Sequence, residues 1–183
     1  ETGEFLRRRY GIKRCRGCTQ AAFLGRELPA SAGEVEIRPL GQEFFSAVFE
    51  NYHSFSDPKY IRERLEAGVM RGAFSQGQLM GFIGMHAEGS VGLLEVLPPY
   101  RRRGVATALM TCMAGYCLER GWIPFSQVFD GNTASMELHR QLGWTLCPDK
   151  LYWVMNCQKK TAPGGEVSFS GKDAQSPVGP AAF

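Results

Sequence analysis

The sequence predicts an α/β domain: one mixed central sheet flanked by helices. Three observations predict it. Apolar periodicity alternates between two and 3.6 from residue 34 onward, in the order β-α-α-β-β-β-α-β-α-β. A short apolar run, Leu93-Leu94-Glu95-Val96-Leu97, is halted by Pro98 and Pro99 and followed by Arg101-Arg102-Arg103-Gly104 and a helical pattern. The chain has 183 residues, 44% hydrophobic and 21% charged, which is enough for one domain with a proper core.

The elements follow in order. Phe5, Leu6, Arg9 and Tyr10 suggest a short basic helix ending at Gly11, and residues 17–24 read as a strand. Residues 27–33, with Pro29, Ser31 and Gly33, read as a linker. Val35-Glu36-Ile37-Arg38 alternates as a strand, stopped by Pro39. Phe44, Phe45, Val48, Phe49 and Tyr52 mark an amphipathic helix. Asp57 before Pro58 is an N-cap pattern, and Gly68 stops that helix.

Strands are expected at 72–75, 79–85 and 91–97, with turns at Gln76-Gly77 and Glu88-Gly89. A helix at 104–120 carries a stripe of Val105, Ala108, Leu109, Cys112 and Tyr116. Residues 122–129 are strand-like, Asn132 is an N-cap candidate for a helix ending at Gly143, and 151–155 form a last strand. The domain boundaries are thus 1–33 for a basic first segment and linker, 34–157 for the main domain, and 158–183 for a disordered tail rich in Pro, Gly, Ser and Ala.

Composition narrows the function classes. Net charge is +3, but residues 1–33 hold seven Lys/Arg against three Asp/Glu, while the remainder holds fourteen against fifteen. The near-neutral body speaks against a large nucleic-acid surface. No apolar run is long enough for a membrane span, and no signal peptide is visible. The first residue is not Met, so a processed or fragmentary product is expected. The six cysteines are read as reduced thiols in a cytoplasmic protein. Cys15-Arg16-Gly17-Cys18 lacks a second ligand pair, so no metal site is expected.

The proline-halted strand, basic turn and helix start form an anion site in outline. The first N–H groups of a helix have no intrahelical partner, and the helix dipole adds partial positive charge there. Gly104 admits close approach to the backbone, and Ala106 adds little bulk. The spacing Arg101-x-x-Gly104-x-Ala106 resembles the Arg/Gln-x-x-Gly-x-Gly/Ala signature of the GNAT superfamily of acyl-CoA-dependent N-acyltransferases. A second stretch, Asn132-Thr133-Ala134-Ser135-Met136-Glu137-Leu138-His139-Arg140-Gln141-Leu142-Gly143-Trp144, resembles the same family's C-terminal pattern Asn-x-x-Ala/Ser-x-x-Leu-Tyr-x-Lys-Leu-Gly-Phe.

The resemblance implies the GNAT fold, with acetyl-CoA as co-substrate entering between two splayed strands. It implies cofactor contacts at Leu94, Val96, Arg101, Arg102, Arg103, Gly104, Val105, Ala106, Thr107, Asn132 and Ser135, with the Val96 N–H as oxyanion donor. The chemistry is attack of a neutral amine on a thioester carbonyl, which calls for a base, an oxyanion donor and a proton donor for the departing thiolate. Here the sequence departs from the family: His139 stands where many relatives have Tyr, and Gln127 where some have Glu. The catalytic candidates are therefore Glu95 as base and His139 as proton donor. The bland alternatives are a solvent-facing strand carboxylate and a helix-packing histidine. His86 and Glu88 are further base candidates, with an exposed hairpin position as the alternative for His86. Water chains are the remaining route for the proton.

The expected partner is a primary amine on a small molecule or peptide, with no nucleic acid and no membrane, and the expected state is monomer or homodimer. A non-catalytic acyl-CoA-binding domain is the competing reading, and a nucleic-acid role for the first segment is a third. Phe44, Phe45, Phe49, Tyr52, His53 and Phe55 come from the region that borders the acceptor in the family. Finally, Leu6-Arg7-Arg8-Arg9-Tyr10-Gly11-Ile12 echoes residues 138–144, a hint of a preceding GNAT-like unit.

Overall fold

A computed structural model describes residues 2–12, 14–28, 35–54 and 57–155. Residues 29–33 of the expected linker at 27–33, Phe55 and the expected tail at 158–183 lie outside the described residues. The chain runs α1 (Thr2–Tyr10), β1 (Arg14–Ala22), β2 (Glu36–Pro39), α2 (Phe45–Asn51), α3 (Pro58–Glu66), β3 (Met70–Ser75), β4 (Gln78–Met85), β5 (Val91–Val96), α4 (Val105–Leu118), β6 (Phe125–Phe129), α5 (Thr133–Gln141) and β7 (Thr145–Met155). From β2 onward this is the order read from the sequence.

The strands form two hydrogen-bonded sheets, β2-β3-β4-β5 and β6-β1-β7, antiparallel within each. The expected central sheet therefore parts between β5 and β6, the two strands on either side of α4. That parting positions the site.

Two apolar clusters pack against the four-stranded sheet. One holds Leu40, Val48, Tyr52, Ile61, Leu65, Met70, Phe74, Phe82 and Leu93, under α2 and α3. The other gathers Val105, Leu109, Met110, Met113, Ala114 and Cys117 of α4 with Ile83, Phe23, Leu142 and Trp144. The stripe on α4 is wider than the spacing predicts: Met110, Met113 and Cys117 are buried, while Cys112 and Tyr116 are only half-buried. The helix is covered by more than one neighbour, so a single stripe underestimates its buried face.

Local signals explain the element ends. The Asp57 side chain accepts from the Lys59 N–H at 2.9 Å, with Pro58 in the first turn of α3. Gly68 follows that helix at φ +67, the left-handed position that a helix C-terminus uses.

The first segment is more integrated than its composition implies. β1 lies between β6 and β7, pairing Thr19 with Val128 on one side and Lys150 on the other. Its Cys18 and Ala21 are fully buried. β1, which belongs to the expected first segment, is thus the middle strand of a sheet whose other two strands come from the expected main domain. The echoed stretches end helices that each lead into a strand, α1 into β1 and α5 into β7, and those strands pair antiparallel. β7 also starts six residues before the expected strand at 151, at Thr145. Pro148 hides it in the sequence. The register shifts opposite Gln20, and residues 147–149 fall at that irregularity, on the sheet's edge strand. A missing N–H is tolerated at such a place.

Candidate active site

Three residues of β5 occupy the span of two on β4, since Phe82 faces Glu95 while Gly84 faces Gly92. This bulge has Leu93 at φ +52. It re-aims the end of β5. Leu93 packs under α2 and α3, whereas Leu94 and Val96 pack on the α4 side. By alternation Glu95 faces the α2 and α3 side. Tyr52 lies on that same side, and its phenol is pushed up to about 12, mainly by burial and in smaller part by the Glu95 charge.

The Leu97 N–H donates to the Met80 carbonyl on the β4 side at 2.9 Å. Successive amides point to opposite edges of a strand. The Val96 N–H and C=O therefore point away from β4, into the parting towards β6. Gly81 stands opposite Val96, and a Cβ there would come within 2.6 Å of the Glu95 carbonyl oxygen. Glycine lets β4 approach the strand end closely.

After β5, Pro98 and Pro99 enter a short 3-10 turn. Arg102 at φ +63 and Gly104 at φ +79 then swing the chain into α4. Gly104 is the N-cap residue and no side chain caps the helix. The N–H groups of Val105, Ala106 and Thr107 thus open onto the turn. Val105 itself is 2% exposed and packs into the cluster under α4.

A cavity of about 600 Å³ lies beside the end of β6 and the start of α5, lined by Arg102, Phe129, Asp130, Asn132, Glu137 and Lys150 among others. Both sequence motifs thus reach one cavity. Lys150 is paired with Asp130, and Arg140 stands 3.8 Å from Glu137. Arg102 forms no ion pair among the described residues. An uncapped helix start and an unpaired guanidinium suit a pyrophosphate, so these residues fit a coenzyme A ester.

Other predicted residues are placed differently. The Arg101 guanidinium turns back: Nε donates to the Val96 carbonyl at 2.9 Å and Nη2 to Glu95 Oε1 at 3.2 Å. Arg103 lies 5.9 Å over the Tyr100 ring. The Asn132 side chain accepts from the Ser135 N–H at 3.1 Å, capping α5. The Ser135 carbonyl accepts from His139 Nδ1 at 2.7 Å.

His139 is 3% exposed, beneath the edge of Trp144 at 5.0 Å between ring centroids. Because a carbonyl only accepts, Nδ1 carries the proton, and Nε2 of the neutral ring accepts from Ser126 Oγ. Burial lowers the His139 pKa, which keeps the ring neutral. In that form it has no proton to give from Nε2. Gln127 is likewise committed, accepting from the Trp153 indole on β7.

The sequence missed one pair. Tyr60 Oη and His86 Nδ1 are 2.7 Å apart, with the rings stacked. His86 is half-buried and its pKa is lowered, chiefly by burial. It is not the exposed hairpin residue of the bland alternative. Nothing local in the sequence signals that pairing across 26 residues.

The acetyltransferase (GNAT) family profile matches residues 35–144, which hold both motifs and the parting. The chain belongs to the GNAT acetyltransferase family. No curated protein matches it at a significant level. Among solved structures, a Drosophila protein is similar at 21% identity and TM-score 0.69, over 82% of this chain and 55% of that one. A GNAT-family protein from Novosphingobium aromaticivorans is similar at 19% identity and TM-score 0.64, over 78% of this chain and 65% of that one. A GCN5-related N-acetyltransferase from Sphaerobacter thermophilus is similar at 18% identity and TM-score 0.59, over 81% of this chain and 53% of that one. The GNAT chain described here therefore spans roughly half to two thirds of these relatives' length. The likeness bears out the GNAT fold read from the two motifs. No helix among the described residues is long and apolar enough to cross a membrane. No cluster of metal-ligating side chains is present among them.

Proposed function

We propose that this GNAT domain transfers an acetyl group from acetyl-CoA to a primary amine of a small molecule or peptide by direct attack. The observation that carries the reading is the parting between β5 and β6, with the uncapped start of α4 following β5 and Arg102 in the turn between them. The amides of Val105, Ala106 and Thr107 and the Arg102 guanidinium would hold the pyrophosphate. Asn132 would border it from α5. Acetyl-CoA supplies an activated thioester carbonyl.

In the parting, Leu94 and Val96 flank the pantetheine arm, and the Val96 N–H donates to the oxygen that gains charge during attack. Glu95, on the opposite face of β5, takes the proton that the amine loses as its nitrogen bonds the carbonyl carbon. The thiolate leaves with the electron pair of the broken C–S bond and is protonated from solvent. We assign His139 a positioning role, tying α5 to β6, since its Nε2 carries a lone pair and not a proton. This keeps Glu95 from the sequence reading and moves His139 to its bland alternative.

The test is thiol release from acetyl-CoA across a panel of primary amines, followed by mass analysis of the acetylated product. Turnover with at least one amine, reduced about 100-fold or more in Glu95→Gln, is expected. Acetyl-CoA binding with no turnover across the panel would replace this reading with the non-catalytic acyl-CoA-binding one.

A further inference from the structure

We infer that the Arg101 side chain is a positioning residue for Glu95 on the acceptor side of the site and is not a ligand of the cofactor phosphates. The inference rests on Glu95 acting as base. The signature position implies a phosphate contact for Arg101, and the geometry points elsewhere. Its guanidinium lies on the end of β5, bridging the Val96 carbonyl and the Glu95 carboxylate. The cavity beside β6 and the start of α5 is lined by Arg102 and not by Arg101.

The guanidinium is a rigid planar fork, so two acceptors held by it are fixed relative to each other. Here they are a main-chain carbonyl beside the oxyanion donor and the carboxylate of the base. The bridge does two things. It occupies the Val96 carbonyl, so the strand edge offers the incoming thioester oxygen an N–H without a competing lone pair. It also restrains the Glu95 side chain, which is 26% exposed and free to rotate without such a partner. The buried Tyr52 phenol, held protonated, lies on the same face. A lone ion pair this exposed adds little stability, so its effect belongs to catalysis and not to folding.

A double-mutant cycle with separate binding measurements tests this. Thiol release from acetyl-CoA is followed for wild type, Arg101→Gln, Arg101→Lys, Glu95→Gln and the Arg101→Gln/Glu95→Gln double variant. The acceptor is the best amine of the panel, or water if no amine is turned over. Acetyl-CoA affinity is measured by calorimetry on each.

Arg101→Gln is expected to lower kcat about tenfold while leaving acetyl-CoA affinity within about twofold. Arg101→Lys should recover part of kcat, having a charge but no fork. The double variant should match Glu95→Gln, because a residue acting through another adds nothing once that partner is gone. A loss of acetyl-CoA affinity in Arg101→Gln as large as the loss of kcat would make Arg101 a phosphate ligand and overturn the inference. Additive effects would overturn it while leaving Glu95 as base. An unaffected Glu95→Gln, or no thiol release from wild type, would overturn both.

Discussion

Two helices begin at the site and finish their N-termini in opposite ways. α5 starts at Asn132, whose side chain accepts from the Ser135 N–H, so the helix satisfies its own first turn. α4 starts at Gly104 and has no side-chain cap. A glycine N-cap in place of Ser, Thr, Asn or Asp costs a helix on the order of a few tenths of a kcal/mol, and the turn before α4 also holds Arg102 at φ +63. On the proposed reading, this uncapped helix start and the strained turn before it are where the cofactor pyrophosphate binds. On that reading the capped helix would contribute a wall and the uncapped one donors.

The strongest break in this comparison is Gly104→Glu. It puts a carboxylate and a Cβ at φ +79, where the backbone must meet the anion. Acetyl-CoA affinity should fall at least ~100-fold, while circular dichroism shows a folded chain. Normal calorimetric titration of the folded variant would remove α4 as the phosphate site. In wild type, acetyl-CoA at a hundredfold excess over Kd should add about 2.7 kcal/mol of stability. A denaturant melt with and without acetyl-CoA reads this, and Gly104→Glu should show no gain.

Asn132→Ala sharpens the other half. Loss of the α5 cap should cost about 1 kcal/mol in the same melt. Acetyl-CoA affinity should change much less than in Gly104→Glu. Equal losses of affinity would make the two helix starts equivalent ligands. Arg102→Gly separates charge from strain. Glycine accepts φ +63 without the cost of a Cβ, so stability should rise by up to about 1 kcal/mol while affinity falls about 3- to 10-fold.

The smallest expected effect is on pH dependence. Burial lowers the His139 pKa from 6.5. The unfolded chain therefore binds the proton more readily than the folded one. The resulting stability is fully present above pH 6.5 and is lost as pH falls towards the lower folded value. His86 acts in the same direction. Melting temperature should fall between pH 7 and pH 5, and His139→Gln should flatten that slope in part. An unchanged slope in the variant would remove His139 as a contributor.

The regions that were legible in the sequence share one property: their signals are local. Pro58 after Asp57, Gly68 after α3 and the Arg101-x-x-Gly104-x-Ala106 spacing each read a backbone requirement within a few residues. Both motifs found one cavity for the same reason. What was not legible depends on distant partners. The middle position of β1 needs β6 and β7, which follow it by more than a hundred residues. The start of β7 was hidden because Pro148 breaks the pattern where the sheet has an irregularity. His139 was placed by its motif, but its proton is set by the Ser135 carbonyl and by Ser126 on the facing strand.

By itself the sequence determined the order of elements from residue 36 onward, the tight turn between β5 and α4, and the family, because glycine, proline and apolar spacing constrain the chain locally. Only the tertiary structure decided which arginine faces the cavity, which way the Val96 amide points, and that the Glu95 face of β5 is the one under α2 and α3. These follow from the bulge at Leu93 and the parting of β5 from β6. Direction at a strand end is a property of the paired sheet, and no single strand carries it.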